Sequence, residues 1–202
     1  MGDRHGLILD YGGVLTSSPF ASFETFCAAE GLPADAVRAC FRDDAAAQAL
    51  LARLETGHLS PAGFEAAFAP LLGVAPERLL HRVFGGMAAD TEMIEGVRAI
   101  RRRRDVRMAI LSNSVGEAAV YDRDGLAELF DDWVISSEVG LRKPEPAIYE
   151  LAAERLGLPP AACVYVDDLP PNLKTARALG MATVLHRGDA AATLAEIDAL
   201  LT

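Results

Sequence analysis

Five short apolar runs set the strongest constraint on the fold: GLILD (6–10), VRMAIL (106–111), WVISS (133–137), CVYVD (163–167) and ATVLH (182–186). Each has the length of a strand and lacks polar alternation, so each reads as a strand buried on both faces. Between them lie stretches with helical spacing. Met93, Ile94, Val97 and Ile100 share one face, Ile148, Leu151, Ala152 and Leu156 another, and Leu194, Ile197 and Leu201 a third. Alternating strands and helices imply a parallel sheet, because parallel neighbours need a crossover and the crossover helices cover both faces. Gly180, in LGM (179–181), stands where a helix C-cap glycine belongs.

Residues from about 17 to 88 break this alternation and contain no convincing strand. Phe64, Ala67, Phe68 and Leu71 recur at i, i+3, i+4, i+7, and Phe20, Phe23 and Cys27 share another face, so this stretch reads as a small helical bundle inserted after the first strand. Ser60 is placed to cap a helix that begins at Pro61.

A length of 202 residues suits one domain with an insert, or two small domains, and 51% hydrophobic residues supply a core. The net charge of −10 argues against a nucleic-acid partner or an anionic membrane partner. The one basic run, Arg101 to Arg107, falls at a helix end, where cations are favoured and solvated. No apolar run reaches the roughly eighteen residues of a membrane span, and the apolar stretch at the N-terminus is too short for a signal peptide. Cys27, Cys40 and Cys163 have neither disulfide nor zinc spacing, so buried free thiols and a cytoplasmic location are expected.

Ligands of an open parallel sheet bind outside the carboxyl ends of its strands. Asp10 follows the first run, Ser112, Asn113 and Ser114 the second, Lys143 lies in EVGLRKPEP after the third, and Asp167 and Asp168 end the fourth. Three carboxylates gathered at one sheet end repel one another unless a cation joins them, and oxygen-only ligands favour Mg²⁺ over zinc. A hydroxyl and a lysine facing that cation make an anion cradle. A carboxylate aimed at a phosphoryl group there suits an aspartyl-phosphate intermediate.

The order Asp10, Ser112, Lys143, Asp167–Asp168 resembles the four motifs of the haloacid dehalogenase-like superfamily. LSNS, GLRKPEPAIYE and VDDLPPNLKTARALGM are similar to the branch that includes the N-terminal phosphatase domain of soluble epoxide hydrolases. The resemblance implies an α/β fold, a Rossmann-like doubly wound parallel sheet with a small helical cap inserted after the first strand. Residues 1–16 and 89–202 would form the core and 17–88 the cap. It implies that Asp10 is the nucleophile and that Ser112, Asn113 and Lys143 bind the phosphoryl group of a small phosphorylated substrate. Mg²⁺ would be held by Asp10, the backbone carbonyl of Gly12, Asp167 and Asp168. Nothing in the pattern sets an oligomeric state.

Gly12 departs from the family, whose phosphatases usually carry there a second Asp that serves as general acid and base. Glu24, Glu55, His58 and Tyr11 are polar candidates for that work. The expectation is a Mg²⁺-dependent phosphatase. The alternatives are a phospho-ligand binder without turnover, which Gly12 favours, and a 2-haloacid dehalogenase, which the acidic pair disfavours. A phosphoacceptor receiver domain is weaker, since it would not carry so long an insert.

Overall fold

The computed structural model describes residues 3–116 and 120–202. Strands β1 (Gly6–Leu9), β2 (Arg107–Ser112), β3 (Asp132–Ile135), β4 (Cys163–Asp167) and β5 (Ala182–Leu185) form one parallel sheet in the order β3-β2-β1-β4-β5. Leu9 pairs with Ile110 on one side and Val166 on the other, so β1 is central. Strand order reverses between β1 and β4, and the crevice this opens lies outside their carboxyl ends.

The pleat sends alternate residues to opposite faces. Leu7 and Leu9 pack with Met93, Val97 and Ile100 of helix α6 (Thr91–Arg103) and Ile197 of α10 (Ala190–Leu200). Ile8 packs with Ile148, Tyr149 and Ala152 of α8 (Pro146–Arg155) and Leu173 of α9 (Pro170–Ala178). Both faces are thus covered, as the unbroken apolar runs required. Gly180 adopts φ 90° just past α9, a left-handed conformation that only glycine takes without strain. The basic run ends α6 as expected: Arg101 pairs with Asp131 and Arg104 with Asp198.

Five helices occupy the stretch between β1 and α6: α1 (Pro19–Glu30), α2 (Ala36–Asp43), α3 (Ala45–Glu55), α4 (Pro61–Leu72) and α5 (Leu79–Phe84). They share a separate core that includes Phe23, Phe26, Phe64, Phe68 and Leu80. The chain leaves and returns through paired segments, with Ser17 N–H donating to the Ala88 carbonyl at 2.7 Å and Asp90 N–H to the Leu15 carbonyl at 2.9 Å. Ser60 Oγ accepts the Gly63 N–H at 3.2 Å, and Pro61 opens α4.

Three local expectations shift. WVISS was expected to be strand throughout, but β3 stops at Ile135 and Ser136–Val139 turn into the short helix α7, because the Ser136 hydroxyl bonds across to the Glu55 carbonyl. On α4 the buried face is Phe64, Phe68 and Ala69, while Ala67 and Leu71 face solvent, so the inward stripe is rotated from the expected one. Cys27 and Cys163 are buried free thiols, but Cys40 is only half-buried. Among the described residues no helix is long and apolar enough to cross a membrane.

Candidate active site

Asp10 is the first residue past β1, and its N–H extends the ladder to the Val166 carbonyl at 2.9 Å. That bond aims the side chain into the crevice beside β4. Its Oδ1 accepts the Tyr11 N–H at 2.7 Å and lies 2.8 Å from Lys143 Nζ. Lys143 Nζ also reaches Asp167 Oδ2 at 2.9 Å, so one ammonium is clamped between two carboxylates. All three groups are buried.

The position of Lys143 is itself fixed. The Asn113 side chain accepts the Lys143 N–H at 2.8 Å and donates to the Lys143 carbonyl at 3.1 Å. Its amide is therefore engaged by backbone and locks two strand-end loops together. Asp167 is held still more fully. The Leu169 N–H reaches Oδ1 at 2.8 Å, Asn172 Nδ2 lies 3.0 Å from both oxygens, and the Tyr165 hydroxyl donates to Oδ2.

Asp168 stands apart. It takes no hydrogen bond from another described side chain, yet Asp10, Asp167 and Asp168 each offer an oxygen, all within 4.8 Å of one another. The turn of Tyr11, Gly12 and Gly13 explains why a glycine is needed here. Gly13 has φ 76°, and a Cβ on it would stand 2.5 Å from Asp168 Oδ2. Gly12 is different: a Cβ there would meet Pro19 and Met87 at 3.4 and 3.5 Å, ordinary contact distances. Backbone geometry leaves room for a side chain at that position.

The electrostatics follow from burial. Burial pushes the Asp10 carboxyl from 3.8 up to about 8, with Lys143 opposing the rise and Asp167 and Asp168 adding to it. Burial also pushes Asp168 up to about 6, helped by the Asp167 charge. Burial alone would push Lys143 down, but the Asp10 and Asp167 carboxylates overcome it and hold the ammonium above its ordinary range. Three carboxylates thus face one ammonium in a poorly solvated place, an arrangement that calls for a further cation. The donor set is all oxygen, which fits a hard divalent ion such as Mg²⁺.

A cavity of about 250 Å³ opens over this floor, lined by Asp10, Gly12, Ser112, Asn113, Lys143 and Asp168. The expected site residues Asp10, Gly12, Ser112, Asn113, Lys143 and Asp168 therefore meet here, with Asp167 behind them, whereas Ser114 stays out of the lining and its Oγ accepts the Gly116 N–H. Of the polar residues considered as substitutes for the missing acid, Glu24 and His58 are exposed, with His58 bonded to Thr56. The Tyr11 hydroxyl accepts the Asp122 N–H at 3.0 Å. Glu55 lines the cavity, but its Oε2 is held by Arg142 Nε at 2.6 Å, and burial raises its carboxyl despite that partner.

Three participants were not anticipated. Tyr121 lines the cavity with its hydroxyl 3.0 Å from Ser112 Oγ, and burial holds that phenol well above its ordinary range. Tyr165 and Asn172 support Asp167. Tyr165 was legible in principle, since residues two apart on a strand point the same way. Tyr121 belongs to an irregular loop with no periodic signal.

A parallel sheet with Asp10 just past its central strand and three acidic side chains gathered at the switch point defines an open-sheet α/β protein with a candidate site at its strand ends. A family profile of haloacid dehalogenase-like hydrolases matches residues 5–180, and the chain belongs to that family. Rat bifunctional epoxide hydrolase 2 is 33% identical over 113 residues, 52% of this chain and 20% of that protein. Glyceraldehyde 3-phosphate phosphatase of Methanopyrus kandleri is 44% identical over 68 residues, 33% of this chain and 29% of that one. The chain thus spans less than a third of either relative's length. A HAD family enzyme of Bacteroides thetaiotaomicron, solved in complex with magnesium and inorganic phosphate, shares the fold with a TM-score of 0.69 at 22% identity, covering 93% and 96% of the two chains. Dehalogenases share the fold as well.

Proposed function

We propose that the protein is a Mg²⁺-dependent phosphatase of a small phosphorylated metabolite, with Asp10 as nucleophile. The observation that carries this is the clamp of Lys143 between Asp10 and Asp167, with Asp168, which takes no hydrogen bond from a described side chain, beside it. Asp10, Asp168 and the Gly12 carbonyl would hold the ion; Asp167, also expected as a ligand, has both oxygens engaged by Lys143, Tyr165, Asn172 and the Leu169 N–H, and would stand behind them. When bound, Mg²⁺ would supply charge to balance the phosphoryl oxygens and the carboxylates.

The chain's own residues do the rest. Asp10 Oδ1 is occupied by Tyr11 N–H and Lys143, so Oδ2 is the oxygen left to attack phosphorus. The new bond forms between Oδ2 and phosphorus, the ester P–O bond breaks, and the electron pair leaves on the ester oxygen. Lys143 and the Ser112 hydroxyl neutralise and orient the phosphoryl oxygens. Water then attacks the aspartyl phosphate, the Asp10 oxygen–phosphorus bond breaks, and phosphate departs. Asp167 acts through Lys143, whose ammonium it fixes, and Asn113 through the Lys143 backbone. Residues 17–88 act as a cap that excludes water from the nucleophile, and the unpaired cysteines fit a cytoplasmic setting.

Support comes from the phosphatase relatives and from the acidic pair, which a haloacid dehalogenase does not need. Gly12 favours a second reading, a phospho-ligand binder that does not turn over. The deciding experiment is phosphate release with Mg²⁺ from aryl, acyl and sugar phosphates, wild type beside Asp10→Asn. Release that needs both Asp10 and Mg²⁺ is expected. No release above the Asp10→Asn background, even from the best leaving groups, would hand the site to the binder.

A further inference from the structure

The floor of the cavity is polar, and its roof is not. The roof residues come from the helical segment, chiefly Phe20, Phe23, Phe41, Leu51, Phe84 and Met87. Glu55 is the one roof residue among those described with a polar side chain, and Arg142 already holds its carboxylate. The rings are ordered around Phe23. Phe20 meets it edge to face at 5.9 Å between centroids, Phe84 edge to face at 5.3 Å, and Phe41 tilted at 6.3 Å. Such an array accepts a further ring in the same geometry.

A polyol or sugar seated there would lose water from its hydroxyls and find no partner on the roof, a penalty rather than a gain. An aromatic ring would lose only unfavourable hydration. Room is sufficient: a dry cavity of roughly 150 Å³ accepts benzene, and this one has about 250 Å³ for ring and phosphoryl group together. The floor adds a second, independent constraint. With Gly12 in place of an acid, that position supplies no proton to the leaving oxygen. A phenol, with a pKa near 10 as in tyrosine, leaves as an anion far more readily than an alkanol.

We propose that the substrate is an aryl phosphate, the phosphate monoester of a flat aromatic hydroxyl, with its ring among Phe20, Phe23, Phe41 and Phe84 and its phosphoryl group over Asp10. This rests on the phosphatase reading. The Asp10–phosphorus bond forms, the aryl oxygen–phosphorus bond breaks, and the phenolate takes its proton from water after release.

The test compares kcat and KM with Mg²⁺ for phenyl phosphate, acetyl phosphate, hexyl phosphate and glycerol 3-phosphate, each against Asp10→Asn. In parallel, calorimetry measures binding of the uncleavable phenylphosphonate and 3-hydroxypropylphosphonate. Phenyl phosphate should show a KM about tenfold below that of acetyl phosphate, which leaves well but carries no ring. Its kcat/KM should exceed that of glycerol 3-phosphate about a hundredfold, with hexyl phosphate binding well but turning over slowly. Phe20→Gln, at the half-buried edge of the roof, should lower the phenyl-to-acetyl ratio of kcat/KM about tenfold. Phenylphosphonate should bind about tenfold tighter than its polar counterpart. Glycerol 3-phosphate matching phenyl phosphate, or equal KM values for phenyl and acetyl phosphate, overturns the aryl assignment and leaves the phosphatase standing. If nothing is hydrolysed above the Asp10→Asn background, the phosphatase reading fails, and the phosphonates decide the ring site: tenfold discrimination upholds it and equal binding removes it.

Discussion

The sheet end and the helical segment above it are built on opposite plans. At the sheet end, polar groups are fixed by one another: Asp167 accepts from a backbone N–H, an amide, a phenol and an ammonium, and Asn113 clamps the backbone of the lysine that supplies that ammonium. In the helical segment the groups over the cavity, Glu55 apart, are rings and aliphatic chains, held by area and shape. The first arrangement tolerates almost no substitution, because removing one partner strands a buried charge. The second tolerates graded change, since apolar packing accepts swaps of similar volume. Chemistry and selectivity can therefore vary separately in this fold.

The sharpest way to break this comparison is at the floor. Asp10→Asn keeps the shape but removes the attacking carboxylate, and phosphate release should fall by about 10³-fold or more. A variant retaining a tenth of wild-type activity would show that Asp10 is not the nucleophile. Lys143→Met should come next. It leaves Asp10, Asp167 and Asp168 without their ammonium, and unfolding in urea should show a loss of about 3–5 kcal/mol, part of which Mg²⁺ restores.

Gly12→Asp works in the other direction. The site has room for its Cβ, so hydrolysis of glycerol 3-phosphate should rise by about 10²-fold if an acid is the missing part. A fall with Mg²⁺ binding intact would show that another group, such as the cavity-lining Tyr121 phenol, already does this work. Its neighbour behaves differently: Gly13→Ala forces a side chain to φ 76° and against Asp168. A loss of about 1–3 kcal/mol and weaker Mg²⁺ binding are expected, readable by thermal unfolding with and without the ion.

The smallest effect is a pH slope. Asp10 and Asp168 are raised to about 8 and about 6, so in the ion-free protein Asp10 below about pH 8 and Asp168 below about pH 6 hold protons that Mg²⁺ must displace. Apparent Mg²⁺ affinity should fall about tenfold per pH unit below about 8 and more steeply below about 6. Stability without the ion runs the opposite way with pH. The folded state binds protons that the unfolded state, with Asp near 3.8, has released, so Asp10 favours folding less as pH climbs from about 4 to about 8. Flat Mg²⁺ affinity between pH 5 and 8 would show either that the carboxylates are already ionised throughout that range or that the ion does not sit among them.

What could be read in advance follows the same division. Asp10, Ser112, Lys143 and Asp167 were legible because each ends or follows an apolar run, and a parallel sheet delivers all such ends to one place. The roof was not legible. Phe20, Phe41, Leu51 and Phe84 lie on four helices whose mutual packing no single periodicity specifies, and on α4 even the inward face was misjudged by Ala67 and Leu71. Ser136 escaped because its hydroxyl bonds to a residue 81 positions away. Tyr121 escaped because an irregular loop carries no period at all.

The central place of β1 has a consequence for how the protein is made. Gly6–Leu9 leave the ribosome well before their two neighbours, residues 107–110 and 163–166. At roughly 5–20 residues per second, the nascent strand waits on the order of ten to thirty seconds for its second edge to be synthesised. Through that interval Asp10 has neither Lys143 nor Asp167 beside it, so a growing chain stays solvated at the position that will become its most crowded cluster of charge.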